Sequence, residues 1–200
     1  MKVVIVDAPS HLIEERRKRG LDRHDEMWEG VYHMVPPPSE EHQDIVDTLF
    51  GMFFAYVAKH GLGRLRSMKG VRDLSSPEQN FRVPEWIFLR SGREHLLVAK
   101  SSYVDEGPDL VLEVRSPGDE TLDKIPFYEK MRVGELLLID RDTRSVKLHR
   151  LAGDGFRTIS PGPDGWLTSE ALRAGFASGT RSGKAVLRVR LDLDGTEQAV

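Results

Sequence analysis

Two apolar runs set the strongest limit on how this chain can fold. PDLVLEV ends at Val114 and ELLLID ends at Asp140, and the segment between them is broken first by Pro117-Gly118. Each run is short, rich in Val, Leu and Ile, and bounded by turn residues. That is the pattern of a strand buried on both faces of a sheet. A helix is expected over roughly 122–132, with Pro126 in its first turn, where a missing N–H is tolerated. Strand 109–114, this helix and strand 134–140 together have the length of a parallel βαβ crossover. The chain should therefore be an α/β (α+β) protein built on a mixed sheet with helices against it.

The flanking sequence fits that frame. Residues 26–36 (EMWEGVYHMVP) read as a strand or strand pair turning at Glu29-Gly30. Pro36 to Pro38 stop it, and Ser39, Glu40 and Glu41 start a helix. Ile45, Val46, Leu49, Phe50, Phe53, Phe54 and Val57 fall on one face of that helix, which should run over 39–60 and end at Gly61. Strands are expected over 62–72 and Phe81 to Leu89. Residues 91–106 show little pattern beyond HLLVA. Ser145 to Leu151 should pair back on 134–140 as a hairpin. The tail, 155–200, reads as additional β-structure. Residues 1–25 form a peripheral segment with a short polar helix near 10–20, and 26–200 form one domain.

Charge and cysteine content narrow the function. The chain has 200 residues, a net charge of -3 and no cysteine. Structural disulfides and thiolate metal sites are excluded, and a reducing, cytoplasmic setting is the simplest home. No apolar run approaches the roughly 20 residues that span a bilayer, and the N-terminus does not read as a signal peptide. A dedicated nucleic-acid binder carries a clear basic excess. Here a nucleic-acid function needs a local basic patch or a metal ion to offset phosphate charge. The densest basic segment is Arg64, Arg66, Lys69 and Arg72, which is equally compatible with a solvated strand face.

Two carboxylates sit where charge is costly. Glu85 lies in FRVPEWIFL and Glu113 in PDLVLEVRSP. A carboxylate in such a strand must be paired or bind a cation. Lys124 follows at the start of the next helix. Two carboxylates and a lysine on neighbouring elements can hold a hard divalent cation and stabilise a negatively charged transition state. Taken singly, each has a plainer reading: an edge glutamate, a solvated helix lysine, and, for His42, a packing or capping residue.

The stretch PDLVLEVRSPGDETLDKIPFYEKMRVGELLLID resembles the core of the Uma-two family of the PD-(D/E)XK nuclease superfamily. Its marks are a Pro-Asp-Leu-Val-x-Glu-Val-x-Ser-Pro strand, a helix with Lys124 and Tyr128 four apart, and an apolar strand ending at Asp140. EMWEGVYHMVPPPSEEHQDIVDTL is similar to the family's opening, a Glu-x-x-x-Gly strand followed by Pro-rich sequence and a His on the first helix. The resemblance covers roughly 26–151. It implies a restriction-endonuclease-like mixed sheet flanked by helices and a Mg²⁺- or Mn²⁺-dependent endonuclease acting on nucleic acid, DNA before RNA. Glu85, Glu113 and Lys124 would be catalytic. Glu85, Glu113, the Val114 carbonyl and Glu29 would hold the metal. Endonucleases that cut both strands are commonly dimers, so a homodimer is expected. The sequence departs from the pattern in two places: Glu85 stands where aspartate is usual, and Arg115 falls where the motif would place lysine. The alternative is a non-catalytic nucleic-acid-binding or protein-interaction module on the same fold.

Overall fold

In the computed structural model, which describes residues 3–6, 8–76 and 80–200, the two apolar runs become neighbouring parallel strands. The chain runs β1 (Val3–Val6), α1 (Ser10–Lys18), β2 (Glu26–Trp28), β3 (Val31–Met34), α2 (Glu40–His60), β4 (Gly63–Ser67), β5 (Gly70–Arg72), β6 (Phe81–Arg82) and β7 (Trp86–Arg90). It continues through β8 (Tyr103–Val104), β9 (Leu110–Arg115), a 3-10 turn (Thr121–Lys124), α3 (Ile125–Lys130), β10 (Glu135–Asp140), β11 (Val146–Ala152) and β12 (Gly155–Thr158). The remaining strands are β13 (Leu167–Ser169), β14 (Ala174–Arg181), β15 (Lys184–Leu191) and β16 (Thr196–Ala199). No helix among the described residues is long and apolar enough to cross a membrane.

The strands form three sheets rather than one. The central sheet has the order β12-β11-β10-β9-β7-β4, in which only β9 and β10 run parallel. A second has the order β1-β3-β2-β6-β5-β8 and a third β13-β14-β15-β16. Two expected strands are split between sheets. Segment 62–72 breaks at Met68, whose φ of 52° turns the chain from β4 into β5. Segment 81–89 breaks at 83–85, where Pro84 has no N–H to give a ladder.

Helix α2 forms as its sequence dictates. The Ser39 hydroxyl caps the His42 N–H at 3.4 Å, and Gly61 closes the helix in the left-handed conformation at φ 61°. Its face of Ile45, Leu49, Phe53 and Val57 packs on Trp86, Leu110, Leu112 and Val114 from one side of the central sheet. Phe176, Leu187 and Val189 of the third sheet close on the same core, so the tail completes it. Val111, Leu136 and Leu138 point to the other face, against Phe127 and Tyr128 of α3.

The N-terminal segment is a docked layer. β1 pairs antiparallel with β3, and α1 is fixed by Arg16, whose Nε donates to Asp25 at 2.6 Å. Residues 1, 2 and 7 of that segment lie outside the described residues.

Candidate active site

Glu113 is the third-last residue of β9. Leu112 and Val114 point to the α2 core, so alternation turns Glu113 to the α3 side with Val111. It is only 2% exposed. Its Oε1 accepts a 2.6 Å hydrogen bond from the Tyr128 hydroxyl and a 3.1 Å bond from Lys124 Nζ. Tyr128 and Lys124 are four apart, so one face of the turn-and-helix segment presents both. Lys124 Nζ also lies 2.8 Å from Glu26 Oε1. Glu26 is held in turn by the Val83 N–H and the Trp28 indole, each donating at 2.8 Å. One ammonium thus bridges two buried carboxylates from two different sheets.

Glu85 stands one residue before β7. Trp86 pairs with Leu112, so continuing that antiparallel register by one step sets Glu85 across from Glu113. Its Oε1 is 2.7 Å from His42 Nε2, and His42 Nδ1 is 3.0 Å from the Ser116 hydroxyl. The N-terminus of α2 and the loop after β9 therefore meet at Glu85. Glu26, His42, Glu85, Glu113, Val114 and Lys124 all line one open cavity of about 330 Å³.

The electrostatics follow from burial. Desolvation raises the Glu113 carboxyl to about 7; Lys124 opposes this, while Glu85 and Glu26 add to it. Burial presses the Lys124 ammonium down, but Glu113 and Glu26 outweigh it and the group is raised. Burial and Glu113 hold the Tyr128 hydroxyl well above its ordinary value, so it serves as a neutral donor.

Of the residues singled out from sequence, Glu85, Glu113, Val114 and Lys124 come together. Glu29 does not. It occupies the β2–β3 turn at φ 51° and lines a different cavity with Trp28 and Lys130. Glu26 stands where Glu29 was expected. The Glu-x-x-x-Gly spacing, counted back from Gly30, falls on Glu26, so the signal was present in the sequence. Arg115, at the end of β9, is engaged by Asp140 at 3.4 Å rather than by Glu113. His42 is more than a helix-start residue, because its ring reaches across to Glu85. No sequence signal ties those two.

A mixed α+β sheet with this carboxylate and lysine constellation at one end of its parallel strands has a nuclease-like fold. The chain belongs to the Uma2 family, described as "Putative restriction endonuclease", which matches residues 14–183. It is also similar to the crystal structure of a "putative nuclease belonging to DUF820" from Anabaena variabilis ATCC 29413. The TM-score is 0.60 at 17% identity, over 74% of this chain and 83% of that one. At that identity the likeness speaks for the fold. No curated protein matches the sequence.

Proposed function

We propose that this chain is a metal-dependent endonuclease that hydrolyses phosphodiester bonds in nucleic acid, with DNA the preferred substrate. The observation that carries the reading is the convergence of Glu85, Glu113 and Lys124 on one open cavity. A buried carboxylate with a raised pKa at a cavity wall is the mark of a group placed for chemistry rather than for stability.

The donor set suits Mg²⁺ or Mn²⁺ in kind. Glu85, Glu113 and the Val114 carbonyl offer hard oxygens, and the hydrogen bonds to both glutamates fall on Oε1, leaving each Oε2 as a ligand. Among the described residues no three His, Cys, Asp or Glu side chains are gathered closely enough to hold a metal. Water and phosphate oxygens would complete the shell, as is usual for Mg²⁺. Bound there, the ion would acidify a water and polarise the phosphate. His42 keeps the Glu85 carboxylate in place. Lys124 supplies positive charge to the phosphorane-like oxygens and the attacking water. Glu26 holds Lys124 Nζ from the far side and so positions it.

Calorimetry with Mn²⁺ tests these roles. Glu113→Gln should lose affinity for the ion, whereas Lys124→Met should retain it and lose turnover. One observation favours the binding-module alternative: Lys124 is fully engaged by Glu26 and Glu113 in a closed charge network. Wild type that takes up no Mn²⁺ would support that alternative over the nuclease.

A further inference from the structure

The opposite face of the second sheet carries a second cavity. β2 turns Glu26 into the catalytic cavity, so Met27 points to the other side. The strand registers then place Tyr32, Met27, Phe81 and Arg72 in one row across β3, β2, β6 and β5. This row floors a trough of about 440 Å³ walled by α1 on one side and by Met68 and Tyr103 on the other. Phe81 and Tyr103 meet with ring centroids 4.9 Å apart, and the Arg72 guanidinium lies 5.1 Å over the Tyr103 ring. Gly70 permits this: a Cβ there would come within 2.5 Å of the Tyr103 ring.

The trough carries a small basic excess on a chain that is acidic overall. Arg17, Arg23 and Arg72 line it, against Asp22 and Asp25. Asp25 is paired with Arg16, Asp22 with Arg17 at 3.8 Å, and Asp105 with Arg72. Beyond the rim, Lys69 donates to the Ser101 carbonyl, with Arg66 close enough to repel its charge. Of the basic run, Arg72 lines this trough, Arg66 and Lys69 lie beyond its rim, and none of the three lines the Glu113 cavity.

We infer that this trough binds unpaired nucleotides of single-stranded nucleic acid, with bases against the Phe81–Tyr103 pair and phosphates on the surrounding arginines. Aromatic rings on an open sheet face, flanked by cations, are what a strand with exposed bases requires, and every base has a π-face to offer. A duplex keeps its bases stacked and could not reach the floor. The proposal takes a nucleic-acid substrate from the nuclease reading and adds where an unpaired strand is anchored, one sheet layer from Glu26.

The test measures binding without metal, so it is independent of cleavage. The full chain in EDTA is titrated into fluorescein-labelled oligothymidylate, oligouridylate and a short duplex. The single strands should bind in preference to the duplex, and their affinity should fall about tenfold or more in a doubly substituted Arg17→Glu, Arg23→Glu protein with an unchanged melting temperature. Iodouracil-substituted strands should photocrosslink to Phe81 or Tyr103. Equal binding by wild type and the double variant, crosslinks confined to the Glu113 cavity, preference for the duplex, or no binding would each overturn the trough proposal. Retained binding with no cleavage in Mn²⁺ would instead count against the nuclease reading alone.

Discussion

Glu113 concentrates the physics of the site. Its carboxyl is raised in the fold, from 4.5 to about 7, chiefly by burial. A group raised in this way contributes stability that is fully present below its unfolded value and is lost as the pH rises through its folded value. The metal-free protein should therefore lose stability between about pH 4.5 and 7, on the order of 3 kcal/mol from this group. Glu113→Gln should flatten that slope, which melting temperatures across the range in EDTA would show. A wild-type curve that is level from pH 4.5 to 7 would contradict the assignment. Tyr128→Phe removes a donor that favours the ionised form. It should raise the Glu113 carboxyl further and weaken Mn²⁺ uptake near neutral pH, readable by calorimetry. Glu113 was legible in sequence because four mostly apolar neighbours made its charge conspicuous. Glu26 was legible only through the Glu-x-x-x-Gly spacing, since a glutamate beside a turn otherwise looks the same whether it faces a lysine or water. His42 was hidden because its partner, Glu85, is distant along the chain.

Elements were legible where the signal is local. Helix α2 has its cap, its periodicity and its terminal glycine within one stretch of sequence, and it forms where those signals put it. Phe53 is fully buried, with ring centroids 5.9 Å from Trp86 and 5.7 Å from Phe176. Phe53→Ala should destabilise the protein by about 3–5 kcal/mol, measured by urea unfolding; a loss below 1 kcal/mol, on the order of a surface change, would show that the core does not depend on it. Gly61→Ala should cost about 1 kcal/mol, because an alanine is strained in the left-handed region. The strands over 62–72 and 81–89 were less legible. Their breaks are decided by which sheet each half joins, and each of β5, β6 and β7 has one pairing partner (β8, β2 and β9) that lies far away in sequence. The helix after β9 is shorter than its pattern suggests. It begins as a 3-10 turn, and Arg132 takes φ 61° beyond its end, so the Val133 N–H turns back to the Tyr128 carbonyl.

At the scale of the molecule, the described residues form three sheets that share two cores, and the Glu113 cavity lies where the central and second sheets meet. Glu26 comes from one sheet and Glu113 from the other, and Lys124 ties them. The parallel pair β9–β10 was readable from its two apolar runs. The docking of the second sheet was not, because nothing local marks Glu26 as the partner of Lys124. Lys124 variants also unpair two buried carboxylates, so loss of stability would confound a loss of rate. Glu113→Gln keeps the shape of the side chain and is the cleaner probe. The most direct measurement is cleavage of plasmid DNA, single-stranded DNA and RNA in Mn²⁺ by wild type and by Glu113→Gln of equal melting temperature. Wild type should cut at least one substrate and stop on addition of EDTA, while Glu113→Gln should leave all of them intact. Equal cleavage by the two proteins, or none by wild type on any substrate, would contradict the account.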